Sequence, residues 1–131
     1  MKGIKIILYI YAIIYFIGLI FAFLPWLTIA DSFHSAGVQP PASDAFTMLW
    51  VRMSGVAFGL ATIFFLLLAR NPLGYGAMPS FAAYGQIYVG FFYFSLGALY
   101  EFPLTVWTTS LEGAFLMGSG ALLVILLKKA I

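Results

Sequence analysis

Apolar residues fill four long stretches of the 131-residue chain, about residues 4–26, 46–69, 80–100 and 109–127. Short polar or proline-bearing segments separate them. An α-helix rises ~1.5 Å per residue, so about 20 residues cross a hydrocarbon core of ~30 Å. All four stretches reach that length. The pattern predicts an all-α fold, a membrane-spanning four-helix up-down-up-down bundle, as a single domain over residues 1–131.

The punctuation agrees with those limits. Pro25 tilts or ends the first span, and Pro40-Pro41 with Gly37 marks residues 30–43 as a loop. Ser43 or Asp44 is placed to N-cap the second span. Pro72 after Arg70-Asn71 forbids its continuation. Pro79 suits the first helical position of the third span, and Glu101-Phe102-Pro103 ends it. Thr109 and Glu112 have capping-box spacing at the start of the fourth. Two lysines precede the first apolar run, in the outline of a secretory signal peptide. The run exceeds the usual ~7–15 residues of a signal core, which predicts an uncleaved span.

Composition sharpens the class. The chain is 64% hydrophobic and 8% charged, against ~25% charged in soluble domains, so water cannot be what covers it. Without cysteine there are no disulfides, thiolate metal sites or thiol chemistry. The single histidine, His34, cannot build a usual zinc site, so no metal and no cofactor are expected. Phosphate loops, dinucleotide fingerprints and nucleophile elbows are absent from the sequence.

The net charge of +2 reads as topology and implies no nucleic-acid partner. Lys2, Lys5, Arg70, Lys128 and Lys129 fall at one side of the four spans, and Asp31, Asp44, Glu101 and Glu112 at the other. The basic side is cytoplasmic, which places both termini there in a bacterial-type inner membrane. Trp26, Trp50 and Trp107 lie at the opposite interface, where an amphipathic ring is comfortable.

Small and polar residues recur at helical spacing in each span: Tyr11, Tyr15, Gly18 and Ala22; Arg52, Gly55, Gly59 and Thr62; Gln86, Gly90, Tyr93, Gly97 and Glu101; Glu112, Ser119 and Gly120. Such stripes let helix backbones approach in lipid and predict the inward faces. Packing alone accounts for the glycines. Arg52 differs, because a cation inside a span costs roughly 2.5–3.5 kcal/mol and calls for a partner. Its side chain leans toward the helix N-terminus, the acidic side. Glu112 is the first candidate partner and Glu101 the second. The candidate ligand-binding set is Arg52, Glu112, Glu101, Tyr93 and Gln86; no catalytic residue is assigned. Each has a plain structural alternative: a register-fixing ion pair for Arg52, a capping carboxylate for Glu112, an exposed helix-end charge for Glu101.

Arg52-Met53-Ser54-Gly55 with Gly59, early in the second of four short spans, resembles small bacterial four-helix membrane proteins of the DoxX-like kind. That resemblance implies a small helical-bundle membrane protein, a subunit or accessory of a redox or lipid-associated system, and it carries over no catalytic residue.

The expected function is a binding or accessory membrane protein with an outward-opening pocket near Arg52 for a lipid or small polar or anionic ligand. The expected partners are membrane lipids, a further copy of the chain or a larger membrane complex. Two alternatives stand beside it. One is an oligomeric transporter or channel subunit. The other is an enzyme on a lipophilic substrate, with Glu101 or Glu112 as acid/base and Arg52 as electrostatic stabiliser.

Overall fold

The computed structural model describes residues 1–102 and 109–131, and only the main chain of Thr109. Pro103, Trp107 and the side chain of Thr109 in the expected capping box lie outside the described residues. Among the described residues the fold is all-α, with five helices: α1 (Lys2–Ile20), α2 (Trp26–Ser35), α3 (Ala45–Arg70), α4 (Met78–Leu99) and α5 (Thr109–Ala130). Three of them, α1, α3 and α5 from Ser110, are long and apolar enough to cross a membrane.

The additional helix corrects the sequence reading at two places. The first span was expected over residues 4–26, yet α1 stops at Ile20 and tight turns follow. The amides of Phe21, Ala22 and Phe23 reach back only three residues, to Gly18, Leu19 and Ile20. Pro25 then brings no N–H, so the α-helical ladder cannot pass it. The segment 30–43 was expected to be loop throughout, but its first part belongs to α2. Pro25 opens α2, and Gly37 closes it at φ 76°, a left-handed value that glycine adopts without strain. The amides of Gly37 and Val38 bond back to His34 and Phe33, which satisfies two end carbonyls of α2.

The residues gather into two compact units: Leu8–Arg70, and Met1–Ile7 with Asn71–Ile131. In the first unit α1 and α3 run antiparallel. Gly18 lies against Phe58, Leu19 against Gly59 and Ala22 against Gly55. Lower down, the Tyr15 ring stacks on Phe65 with centroids 5.4 Å apart, and Tyr11, fully buried, tilts onto the same ring at 5.1 Å. The expected inward face of α3 holds for Gly55, Gly59 and Thr62, all buried. It extends further than the stripe predicts: Phe65, Leu68 and Ala69 are buried as well. Phe64 is half-buried and Leu67 exposed.

In the second unit α4 and α5 are also antiparallel. Gly90 meets the Gly113 carbonyl and the Met117 amide, and Gly120 meets the Ala83 carbonyl beside the Ile87 side chain, so the two backbones approach closely there. The first turn of α1 joins this unit, with Gly3 beside Leu126. Ile4, Leu123 and Leu127 are buried in it. Across α1, α3, α4 and α5 many large apolar side chains face outward, among them Ile13, Leu60, Phe81, Tyr88, Leu122 and Ile125. Outward apolar faces on long apolar helices are what lipid requires and water does not tolerate in such extent.

Candidate site at the break between α1 and α2

The Arg52 site begins with an absent hydrogen. In a continued α-helix the Phe21 carbonyl would accept from the amide four residues on, which is Pro25 and has none. The carbonyls of Ala22 and Leu24 lie in the same turn, between the last bonds of α1 and the first of α2. A main-chain carbonyl left unpaired in apolar surroundings costs roughly 1–3 kcal/mol.

Arg52 answers that deficit from α3. Its Nη1 donates to Leu24 O, the closest of three acceptors, to Ala22 O at 3.2 Å and to Phe21 O at 3.4 Å. Gly55, one turn on along the same face, sets the approach. A Cβ there would lie 2.7 Å from the Ala22 amide nitrogen, so only glycine lets α1 come this near. The positive guanidinium also meets the negative end of the α1 dipole.

Magnitudes favour the arrangement. Hydrogen bonds to a charged group contribute about 1.5–3 kcal/mol each, and two protons on Nη1 support two bonds of full strength. Their sum matches or exceeds the roughly 2.5–3.5 kcal/mol insertion cost of the cation. A broken helix end and a charge within a helix apolar enough to cross a membrane thus offset each other. Within this unit Nε and Nη2 have no bond partner among the described residues, and the side chain is half-buried.

The other candidate residues belong to the second unit. Gln86 is buried on α4 at 6% exposure, on the same stripe as Gly90 and Gly97, and Tyr93 is half-buried on that helix. Both have interaction partners. Ser110 Oγ donates to the Phe94 carbonyl at 3.5 Å where α5 begins. Glu112 is exposed in the first turn of α5, where the helix dipole favours a carboxylate. Glu101 is exposed and follows the C-cap of α4 at φ 54°, the left-handed position usually given to glycine. The amides of Glu101 and Phe102 bond back to Ala98 and Gly97, closing the end of α4 as the sequence predicted.

Of the two expected candidates, Ser43 and Asp44, it is Asp44 that caps α3. Its Oδ1 accepts from the Thr47 amide at 2.9 Å and its Oδ2 from the Thr47 hydroxyl at 2.7 Å. These bonds hold its carboxyl below the usual value. His34 is exposed in the last turn of α2. Among the described residues no group of three or more His, Asp or Glu side chains is placed to hold a metal ion.

Sequence reasoning sought a carboxylate for Arg52 and did not consider main-chain carbonyls. The signal was present in Pro25, which guarantees an orphaned carbonyl at Phe21, but the pairing with residue 52 depends on how α1 and α3 register. Comparison with protein-family models, curated proteins and solved structures found no match to this chain.

Proposed function

We propose that the protein is a small integral membrane protein that binds an anionic group at Arg52, on the outer side of a bacterial-type inner membrane, in a binding or accessory role. The observation that supports this reading most is the division of labour within Arg52. One nitrogen clamps the α1–α2 break, while Nε and Nη2 keep a planar pair of donors suited to a phosphate or carboxylate. The bonds to Phe21, Ala22 and Leu24 hold the guanidinium at the turn that precedes Pro25 and Trp26, at the headgroup level of such a span. The ligand chemistry is that of a lipid phosphodiester or a small phosphate-bearing anion.

In this reading α4 is a fourth crossing. Its 22 residues make about 33 Å of helix, and it carries no Asp, Glu, Lys or Arg. Two of the residues that lower its hydropathy, Gln86 and Gly90, are buried away from lipid, while Tyr84 and Tyr88 face outward. With four crossings both termini are cytoplasmic.

The test uses the fact that Arg52 and Arg70 are the only arginines. In protein labelled with ¹⁵N-arginine, Arg70→Lys assigns the two guanidinium signals. Short-chain phosphatidylglycerol or glycerol 3-phosphate should shift the Arg52 Nε signal and leave Arg70 unmoved. A shift with the lipid alone identifies a headgroup site; a shift with both identifies a site for free anions too. Arg52→Lys, which keeps a cation for the carbonyls and loses the planar fork, should fold and bind at least about tenfold more weakly. If neither probe moves the Arg52 signal, the reading fails.

A further inference from the structure

The second unit gathers four lysines at one end. α4 and α5 are antiparallel, so the end of α5 lies beside the start of α4, and Leu126 of α5 lies beside Gly3 of α1. A Cβ on Gly3 would meet Leu126 Cδ1 at 3.3 Å, tighter than an ordinary side-chain contact, so the two termini are closely apposed. Ile4, Leu123 and Leu127, each almost fully buried, anchor this apposition. Lys2 and Lys5 therefore stand near Lys128 and Lys129, all exposed except the half-buried Lys5. The unit's acidic side chains, Glu101 and Glu112, belong to the other ends of α4 and α5.

The charges on α1 are set against its own dipole. Its first turn has no acidic residue, although a helix N-terminus favours a carboxylate, and two lysines add to the positive end. An external anion would relieve both. Lys128 and Lys129, by contrast, sit in the last turn of α5, where cations belong. From the apposed termini and this unbalanced helix end, we infer that Lys2, Lys5, Lys128 and Lys129 form one docking surface for anionic phospholipid of the adjoining leaflet. Lysine stems lie along the apolar helix ends while their ammonium groups reach the headgroups.

The experiment reconstitutes the full chain in phosphatidylcholine nanodiscs containing a minority of spin-labelled phosphatidylglycerol or spin-labelled phosphatidylcholine. Both leaflets have one composition, so insertion orientation does not matter. Electron spin resonance of motionally restricted lipid should show about tenfold preference for phosphatidylglycerol, weakening with salt. If the lysines act as one surface, K2Q/K5Q and K128Q/K129Q should each lower it to about twofold, nearly as far as all four together. K128R/K129R should keep the preference, and every variant is compared in an Arg52→Lys background, so that headgroup binding at the Arg52 site does not contribute to the signal. An unchanged preference in the fourfold variant overturns the inference. Losses that multiply independently between the two pairs overturn it as well, since they describe separate patches.

Discussion

Arg52 and Pro25 solve each other's problem. Proline removes a main-chain donor, and arginine returns donors from another helix. The sequence made half of this legible. An intramembrane cation must be paired, and its position on the Gly55, Gly59, Thr62 face directs it inward. What the residues alone could not show is that main-chain oxygens, belonging to no side-chain motif, would be the acceptors. The cap of α3 was legible to within one residue, Ser43 or Asp44, because an N-cap is a local interaction over three residues, and Asp44 makes it. It also carries a pH expectation. Its folded carboxyl is held below the ordinary value by the Thr47 amide and hydroxyl. The cap is therefore at full strength above the ordinary carboxylate range and is lost as pH falls through the lowered folded value. Protection factors of the Ala45–Met48 amides should fall on acidification through that window. Asp44→Asn, still a good cap, should remove the pH dependence while retaining protection near neutrality. Equal acid sensitivity in both proteins would assign the effect to another group.

Helix ends set by proline, at Pro72 and Pro79, were legible because proline acts on the backbone wherever it lies. α2 was not. The Pro25 start and Gly37 stop are ordinary helix signals, but Pro40-Pro41 and the polar residues between drew the whole segment into a loop. The buried face of α3 was read correctly as far as Thr62 and too narrowly beyond it, where Phe65, Leu68 and Ala69 together broaden the contact. The same helix pair offers a graded packing test. At Gly55 an added Cβ meets main-chain Ala22 N at 2.7 Å, whereas at Gly59 it meets the Leu19 Cδ1 methyl at 2.7 Å. A methyl at the end of a flexible side chain can rotate away; a backbone amide cannot. Gly55→Ala should destabilise by roughly 1–3 kcal/mol and loosen the Arg52 bonds, with Gly59→Ala costing about 1 kcal/mol or less. Thermal unfolding of both variants in one detergent measures the difference. Equal losses would mean that α1 shifts as a body, not side chain by side chain.

For the molecule as a whole, the strongest sequence signal is the segregation of charge, and it bears on topology more than on packing. If the four crossings alternate as proposed, α2 and the end of α4 lie outside, and the turn between α3 and α4 lies inside with both termini. The chain has no cysteine, so single cysteines report without background. Ser35, Tyr75 and Glu101 are exposed positions at the end of α2, the α3–α4 turn and the end of α4. In intact cells an impermeant thiol reagent should label cysteine at 35 and 101, and should reach cysteines at 2, 75 and 129 only after the membrane is opened. The pair 75 and 101 is the decisive one, because α4 alone separates them. Labelling of both in intact cells, or of neither, would mean that α4 does not cross, that the α1 and α5 termini face opposite sides, and that the basic and acidic ends no longer mark the two faces. Labelling at 101 and not at 75 fixes α4 as a crossing and with it the outward position of the Arg52 site.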